Sequence, residues 1–575
     1  MSLSKTPTQD KDLEIKVTVS RYRNIDPGHI DPKHAQTDNE LLAEIGYKAE
    51  LRRQFSTLQV FGVAFSIMGL LPSISSVLAQ ALTGGTVGMI WGWFIASFFV
   101  LLIGISMSEL GSAMPTSGGL YYWSWFYAPE KWKVPISYIV GNTNSVALVG
   151  ALCSVNYGFA NEVLAAVYIS KDGDFTLTTG KTYGVFAACV VSHIFITCAA
   201  SHVCSRLQTV SIICNLGLIL LFFIAVPIGT KINMGGFNDG KFIFGNYQNF
   251  SGGWDNGWNF VLNGWMPSIW TIGAFDSCVH MSEEARNLTK SVPIGIIGSI
   301  SACFSLGFFI CIVVGACIRT DIDAVIGTLF GQPMAQIVYD SLGKNWAIAF
   351  MSLIAACQWL MGASILTAIS RQIWAFSRDN GLPFSKYIKV VNKKLSTPLR
   401  AVWFGGILSL IMGLLCLIGT TAADALFSLY IAGNYFAWCV PIFLRNTYGR
   451  DKFIPGDFYL GKFWSPIVNW ISIFFMTFVI IMVMFPSGTT VDKETMNYTV
   501  VITPGVMLLA WIYYFAYGKK EFNGPARNVD DMTEYVDGEE LDDDQEIIVI
   551  NSATGEQVNP ADLQLNSLGS TEKTV

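Results

Sequence analysis

The stretch from Gln54 to Ser108 contains no Asp, Glu, Lys or Arg. One crossing of a bilayer takes about 20 apolar residues, so this run can cross twice. The Thr-Gly-Gly-Thr segment at 83–86 supplies a turn between the two crossings. Ten further runs lack the same four residue types: 134–161, 182–205, 207–228, 256–275, 291–318, 345–370, 401–423, 425–444, 463–491 and 495–518. Together they predict an all-α polytopic membrane protein with about 12 transmembrane helices. Lipid satisfies no backbone polar group, which favours helices, and the runs are too long and too evenly apolar for barrel strands.

Composition agrees: 52% of the residues are hydrophobic and only 14% charged. The net charge of −6 owes much to acidic residues within 530–546, and no basic patch points to nucleic acid. The twelve cysteines show no CxxC and no Cys/His metal spacing, so they read as small packing residues. No nucleophile–base pair, metal cluster or phosphate loop stands out, which argues against an enzyme and against any cofactor. The first ~50 residues are polar and carry no cleavable signal, so the first span serves as the insertion signal.

Three segments are expected: a solvated, disordered N-terminal tail (1–50), a transporter domain (51–519) and an acidic, disordered C-terminal tail (520–575). Lys5, Lys11 and Lys16 are possible modification sites in the first tail. Twelve spans put both termini on one side. Most loop Lys and Arg fall on that side, led by the loop 371–400, so the positive-inside rule makes both termini cytosolic. Of the sequons at Asn249, Asn287 and Asn497, only Asn249 then lies in a non-cytosolic loop with room for a glycan.

Two spans are interrupted. The first contains Ser66-Ile67-Met68-Gly69-Leu70-Leu71-Pro72, in which Gly69 and Pro72 disfavour a continuous helix. The sixth contains Gly273-Ala274-Phe275-Asp276, a glycine near a mid-membrane carboxylate that needs a polar partner. Breaks at corresponding places in two halves point to the binding site of an inverted-repeat transporter. A half-helix N-terminus suits a carboxylate and a half-helix C-terminus suits an ammonium, so an amino-acid-like substrate fits. Asn144 is placed on the same path, while Asn142, Asn156, His193, Asn215 and Asn434 read as interhelical hydrogen-bonding groups. Asp276, His280 and Glu162 are candidates for carrying a coupled proton. Glu283 and Glu284 read as caps pairing with Arg286 and Lys290. Pro115, Gly118 and Gly119 mark a tight re-entry after the second span and, with Pro72, are candidate hinges or gates; Tyr121 and Tyr122 suit a membrane interface.

The acid-x5-6-P-x-x-G-G-x-Y element from Glu109 to Tyr121 and the F-D…S-E-E-A-R-N sequence from Phe275 to Asn287 resemble the amino acid–polyamine–organocation transporter superfamily. The segments at 41–73, 270–285 and 347–383 are similar to the fungal GABA permease branch of its amino acid/choline transporter family. The resemblance implies a LeuT-like fold, with an inverted five-plus-five repeat and two additional helices. It implies uptake of GABA and related ω-amino acids, driven by protons, in a vacuolar or plasma membrane. The substrate carboxylate would meet the backbone at Ser66–Gly69, opposite the Gly273–Asp276 break. One departure is that many bacterial members carry a lysine where this chain has Asn215, which removes that proton route. A choline or putrescine carrier and a transport-inactive sensor are the alternative expectations.

Overall fold

The computed structural model describes residues 38–526 apart from 48–50, 52, 200, 393, 396, 487 and 492–495, together with 15–16, 549–551 and 557–558, which pair as short antiparallel strands. Lys5, Lys11 and the acidic segment 530–546 lie outside the described residues, apart from which the architecture is helical.

The first span opens at a capping box. The Ser56 hydroxyl accepts from the Gln59 amide while the Gln59 side chain accepts from the Ser56 amide, so two orphan donors of the helix start are satisfied together. The span-forming helices that follow a short helix α1 (Asp38–Ile45) are α2 (Thr57–Met68), α3 (Leu70–Ala81), α4 (Gly85–Ala113), α6 (Lys133–Ser170), α7 (Thr179–Thr197) and α8 (Ser201–Asn233). Helix α5 (Gly119–Tyr127) links the second and third spans. The sixth span consists of α9 (Met266–Thr271) and α10 (Ser277–His280), and after it come α11 (Leu288–Cys317), α12 (Lys344–Arg378), α13 (Leu399–Met412), α14 (Thr420–Asn446), α15 (Gly461–Met482) and α16 (Thr499–Tyr513).

Among the described residues, 10 stretches are long and apolar enough to cross a membrane. One of them, Thr57–Ala113, holds 57 residues. At 1.5 Å per residue that is roughly 85 Å of helix, enough for two crossings. The interrupted sixth span adds another, which brings the total to about 12 crossings. Elements five spans apart pack against each other: the first on the sixth, the second on the seventh (α4 on α11), the third on the eighth (α6 on α12) and the fourth on the ninth (α7 on α13). That pairing sets the two breaks side by side, with α2 against α10 and α3 against α9.

Three expectations are corrected. The N-terminal tail does not run to residue 50, because α1 is docked, with Leu41, Leu42, Ile45 and Tyr47 buried. The C-terminal tail does not begin at 520, because Phe522 is also fully buried. The loop 371–400 starts later, since α12 continues to Arg378 and buries both Arg371 and Arg378. Arginine is tolerated there because each guanidinium meets a carboxylate.

The described segments that flank the spans meet at one end of the bundle: the Tyr47 hydroxyl and the Ala526 amide both donate to Asp379. The loop that carries Asn249 is at the other end, where the Phe250 amide bonds to the Thr83 carbonyl beyond α3.

Candidate functional site

In the first span, Gly69 adopts φ 38° and ψ 63°, a left-handed conformation in which L side chains are strained. A Cβ there would sit 2.8 Å from the Met361 sulfur on α12. Ser66, Ile67 and Met68 form the last turn of α2, and the new half-helix begins with Leu70. The N-terminal amides free to meet an anion are therefore those of Leu70 and Leu71, beyond the expected Ser66–Gly69 segment. Pro72 falls in the first turn of α3, where its missing N–H costs nothing; the break itself is made by Gly69.

In the sixth span, Ile272 to Asp276 leave the helix, and Ala274 has a φ of 53°. Gly273 is needed for a close approach, since a Cβ would lie 2.0 Å from the Tyr430 hydroxyl of α14. Phe275 stacks on Trp438 of the same helix with ring centroids 4.4 Å apart.

Asp276 is fully buried. Its Oδ2 accepts from Asn144 Nδ2 at 2.9 Å, and the same amide donates to Asn434 Oδ1 at 3.0 Å. Helices α6, α10 and α14 are thereby joined through the Asn144 amide. Asp276 Oδ1, Asn144 Oδ1 and Asn434 Nδ2 are buried without a hydrogen-bond partner. Two acceptors and one donor thus remain available in an enclosed place, a situation that proteins tolerate chiefly at functional sites.

His280 stands one turn along α10. Its Nδ1 is 3.0 Å from the Ser117 carbonyl and its Nε2 is 3.5 Å from Asp276 Oδ2. A carbonyl only accepts, so Nδ1 carries a hydrogen. In a neutral ring Nε2 is then a bare acceptor facing a carboxylate oxygen, and a proton between them removes the repulsion.

The loop before α5 wraps this half-helix. Glu283 accepts from the Ser117 amide at 3.1 Å and from the Thr116 hydroxyl at 3.3 Å. Gly119, at φ 31°, brings the backbone onto Val279, whose Cγ1 would be 2.3 Å from a Cβ. Gly118 and Pro115 belong to the same buried turn, which Ser117 and Gly119 hold against the sixth span. Tyr121 and Tyr122 are buried rather than interfacial, and their hydroxyls donate to Asp379 and to the Ile45 carbonyl.

Glu283 and Glu284 do not pair with Arg286 and Lys290. Glu283 holds Arg378 through two hydrogen bonds of 3.0 and 3.2 Å, and Glu284 holds Arg371 at 2.7 Å. Arg378 also lies 4.0 Å over the Tyr47 ring and 4.7 Å over Trp374. A third buried pair, Glu109 with Arg445, joins α4 to α14.

Glu162 is buried elsewhere, with Ser76 Oγ 3.5 Å from its Oε1 and Gln358 bonded to that serine. On α6 it is roughly 27 Å from Asn144 at 1.5 Å per residue, so it does not belong to the Asp276 cluster. Asn215 bonds within its own helix to Ser211. Asn249 is exposed, but its amide already bonds to Trp254, Ser251, Asn256 and Asn259.

The family model described as amino acid permease matches residues 55–507. The chain is 60% identical over 517 residues to the GABA-specific permease of Saccharomyces cerevisiae, covering 89% of this chain and 90% of that protein. It is 33% identical to an uncharacterized amino-acid permease of Schizosaccharomyces pombe over 89% of this chain and 92% of the relative. It is 30% identical to the amino-acid permease BAT1 of Arabidopsis thaliana over 85% of this chain and 96% of the relative.

Proposed function

The chain belongs to the amino acid permease family, and we infer that it carries GABA and related ω-amino acids together with protons, at a site between the two span breaks. The observation that carries this reading is the Asp276 cluster. Protonated at Nε2, His280 forms an ion pair with Asp276 across 3.5 Å. Asp276 Oδ1 and Asn144 Oδ1 are then acceptors for a substrate ammonium. The amides of Leu70 and Leu71, at the N-terminus of α3, face the substrate carboxylate. Loss of the proton from His280 sets its Nε2 lone pair against Asp276 Oδ2 and turns the carboxylate away from the ammonium position, which couples release to proton exit.

Choline and putrescine have no carboxylate and leave the α3 amides unused; this favours an ω-amino acid over either. Both termini are assigned to the cytosol, because the loop Lys and Arg concentrate on that side. Asn249 is then the sequon on the opposite face; its bonded amide means that a glycan would have to be added before the loop folds. The membrane is vacuolar or plasma membrane.

The test is uptake of labelled GABA by purified protein in liposomes, with unlabelled putrescine and choline as competitors. Uptake stimulated by an inward proton gradient and competed weakly by both amines supports the reading. Equal competition by choline would remove the carboxylate from recognition, and absence of uptake of any amine would favour a sensor.

A further inference from the structure

Beyond the last span the described residues stay against the bundle as far as Ala526. Phe522 is fully buried, its ring 5.4 Å from Tyr138 at the start of α6 and 5.6 Å from Phe376 near the end of α12. Gly524 then turns the backbone at φ 104°, so close to Trp125 that a Cβ would lie 2.5 Å from its indole nitrogen. The Ala526 amide donates to Asp379 Oδ1 at 3.2 Å. Asp379 Oδ2 accepts from Tyr47 at 3.0 Å and from Tyr121 at 2.7 Å.

One carboxylate therefore ties together the C-terminal segment, the N-terminal segment, α5 and the end of α12. The preceding residue, Arg378, grips Glu283 at the end of the sixth span and is stacked on Tyr47. For the half-helix that carries Asp276 and His280 to swing open toward the termini, the Glu283–Arg378 pair must break. Arg378 can move only if Tyr47 and the Asp379 junction yield.

We propose that the segment Lys519–Ala526 is an intramolecular latch, which holds the substrate site closed toward the termini when docked on Asp379 and the Tyr138–Phe376 cleft, and releases that gate when it undocks. The contacts have the form of a latch: one aromatic wedge, one tight glycine turn and a single terminal hydrogen bond. Such a segment can undock as a unit without disturbing the spans. The inference rests on the transport reading only for which gate it controls.

The test is made on the full-length protein with every cysteine except Cys204 replaced by alanine. Cys204 is buried beside the Glu284–Arg371 pair and is sealed when the gate is closed. Its labelling by a membrane-impermeant maleimide, applied to the face that bears the termini, reports opening. Phe522→Ala empties the wedge and Gly524→Leu forces the turn out. Both are expected to speed labelling about tenfold, corresponding to about 1.4 kcal/mol of lost closure, while Phe522→Leu remains near the unmutated rate. Unchanged labelling in both variants at normal abundance would overturn the latch. Loss of folded protein in both would also overturn it, by making the segment a structural element. Faster labelling in the variants, with no GABA uptake by the unmutated protein, would support the latch and reject the transport reading.

Discussion

His280 Nε2 lies 3.5 Å from Asp276 Oδ2, while the opposite nitrogen of the same ring is fixed 3.0 Å from the Ser117 carbonyl. The tautomer is thereby set, and Nε2 is left facing the carboxylate. His280→Gln keeps a donor toward Asp276 but has no proton to give up. The expected result is GABA-for-GABA exchange near the unmutated rate with no accumulation against a gradient. Accumulation by this variant would remove His280 from coupling.

Asp276→Asn takes away the negative charge at the same volume. Both ammonium binding and coupling depend on it, so exchange and accumulation should each fall by about tenfold or more, the effect of losing one charge-assisted hydrogen bond of about 1.5–3 kcal/mol. Normal exchange by the variant, measured at equal abundance in liposomes, would place the ammonium elsewhere.

Gly69→Val should abolish uptake while the protein still reaches the membrane. The left-handed φ strains any L residue by about 1–2 kcal/mol, and the new Cβ meets the Met361 sulfur. Met361→Ala in the same chain relieves the clash but not the backbone strain, and should restore uptake only partly. Full uptake by Gly69→Val would remove the first-span break from the site.

Glu283→Gln strands a buried guanidinium, and such uncompensated charges cost about 3–5 kcal/mol. A lowered unfolding midpoint in detergent is expected. The double change Glu283→Gln with Arg378→Gln should recover part of the loss, because the stranded guanidinium is gone while Asp379, 4.0 Å from Arg378, loses its nearby cation. A single variant as stable as the parent would mean that the pair contributes little.

Burial pushes the Asp379 carboxyl from its ordinary 3.8 up to about 6, with Arg378, the Tyr121 hydroxyl, the Ala526 amide and the Tyr47 hydroxyl opposing the shift. Glu283 is the other charge nearby, and it is engaged by Arg378. Undocked and solvated, the group returns toward 3.8, so the docked state is the one that binds the proton more tightly. This contribution to docking is complete below about pH 4 and is lost as the pH rises through about 6. Cys204 labelling, corrected for thiol reactivity, should therefore increase over that interval, and Asp379→Asn should abolish the step. A flat profile in the parent would contradict the assignment.

The number of spans and both breaks were legible because they depend on local chemistry: a charge-free run, a glycine, a proline, an acid in an apolar segment. Gly69 and Gly273–Asp276 were found this way, although the free amides turned out to belong to Leu70 and Leu71. The sequence places Asn144 with the two breaks, but marks Asn434 only as a polar residue in a lipid-length span. That they meet at Asp276 depends on how three distant helices pack, which no spacing along the chain encodes. In sequence the cations nearest to Glu283 and Glu284 are Arg286 and Lys290, whereas their partners come from α12, where Arg371 and Arg378 follow a charge-free run and so read as loop charges. The polarity of the terminal segments predicts solvated chain, yet a few apolar anchors, Leu41, Tyr47 and Phe522, suffice to dock their inner parts.

The central claim, that GABA and a proton move together through the Asp276–His280 pair, is tested most directly by proton entry. Purified protein is reconstituted into liposomes loaded with a pH-sensitive dye, with no initial pH difference and the membrane potential clamped. Adding GABA outside should acidify the lumen in the unmutated protein, and should not do so in His280→Gln even though labelled GABA still enters. Entry of labelled GABA into liposomes of the unmutated protein with no change in luminal pH would contradict the account.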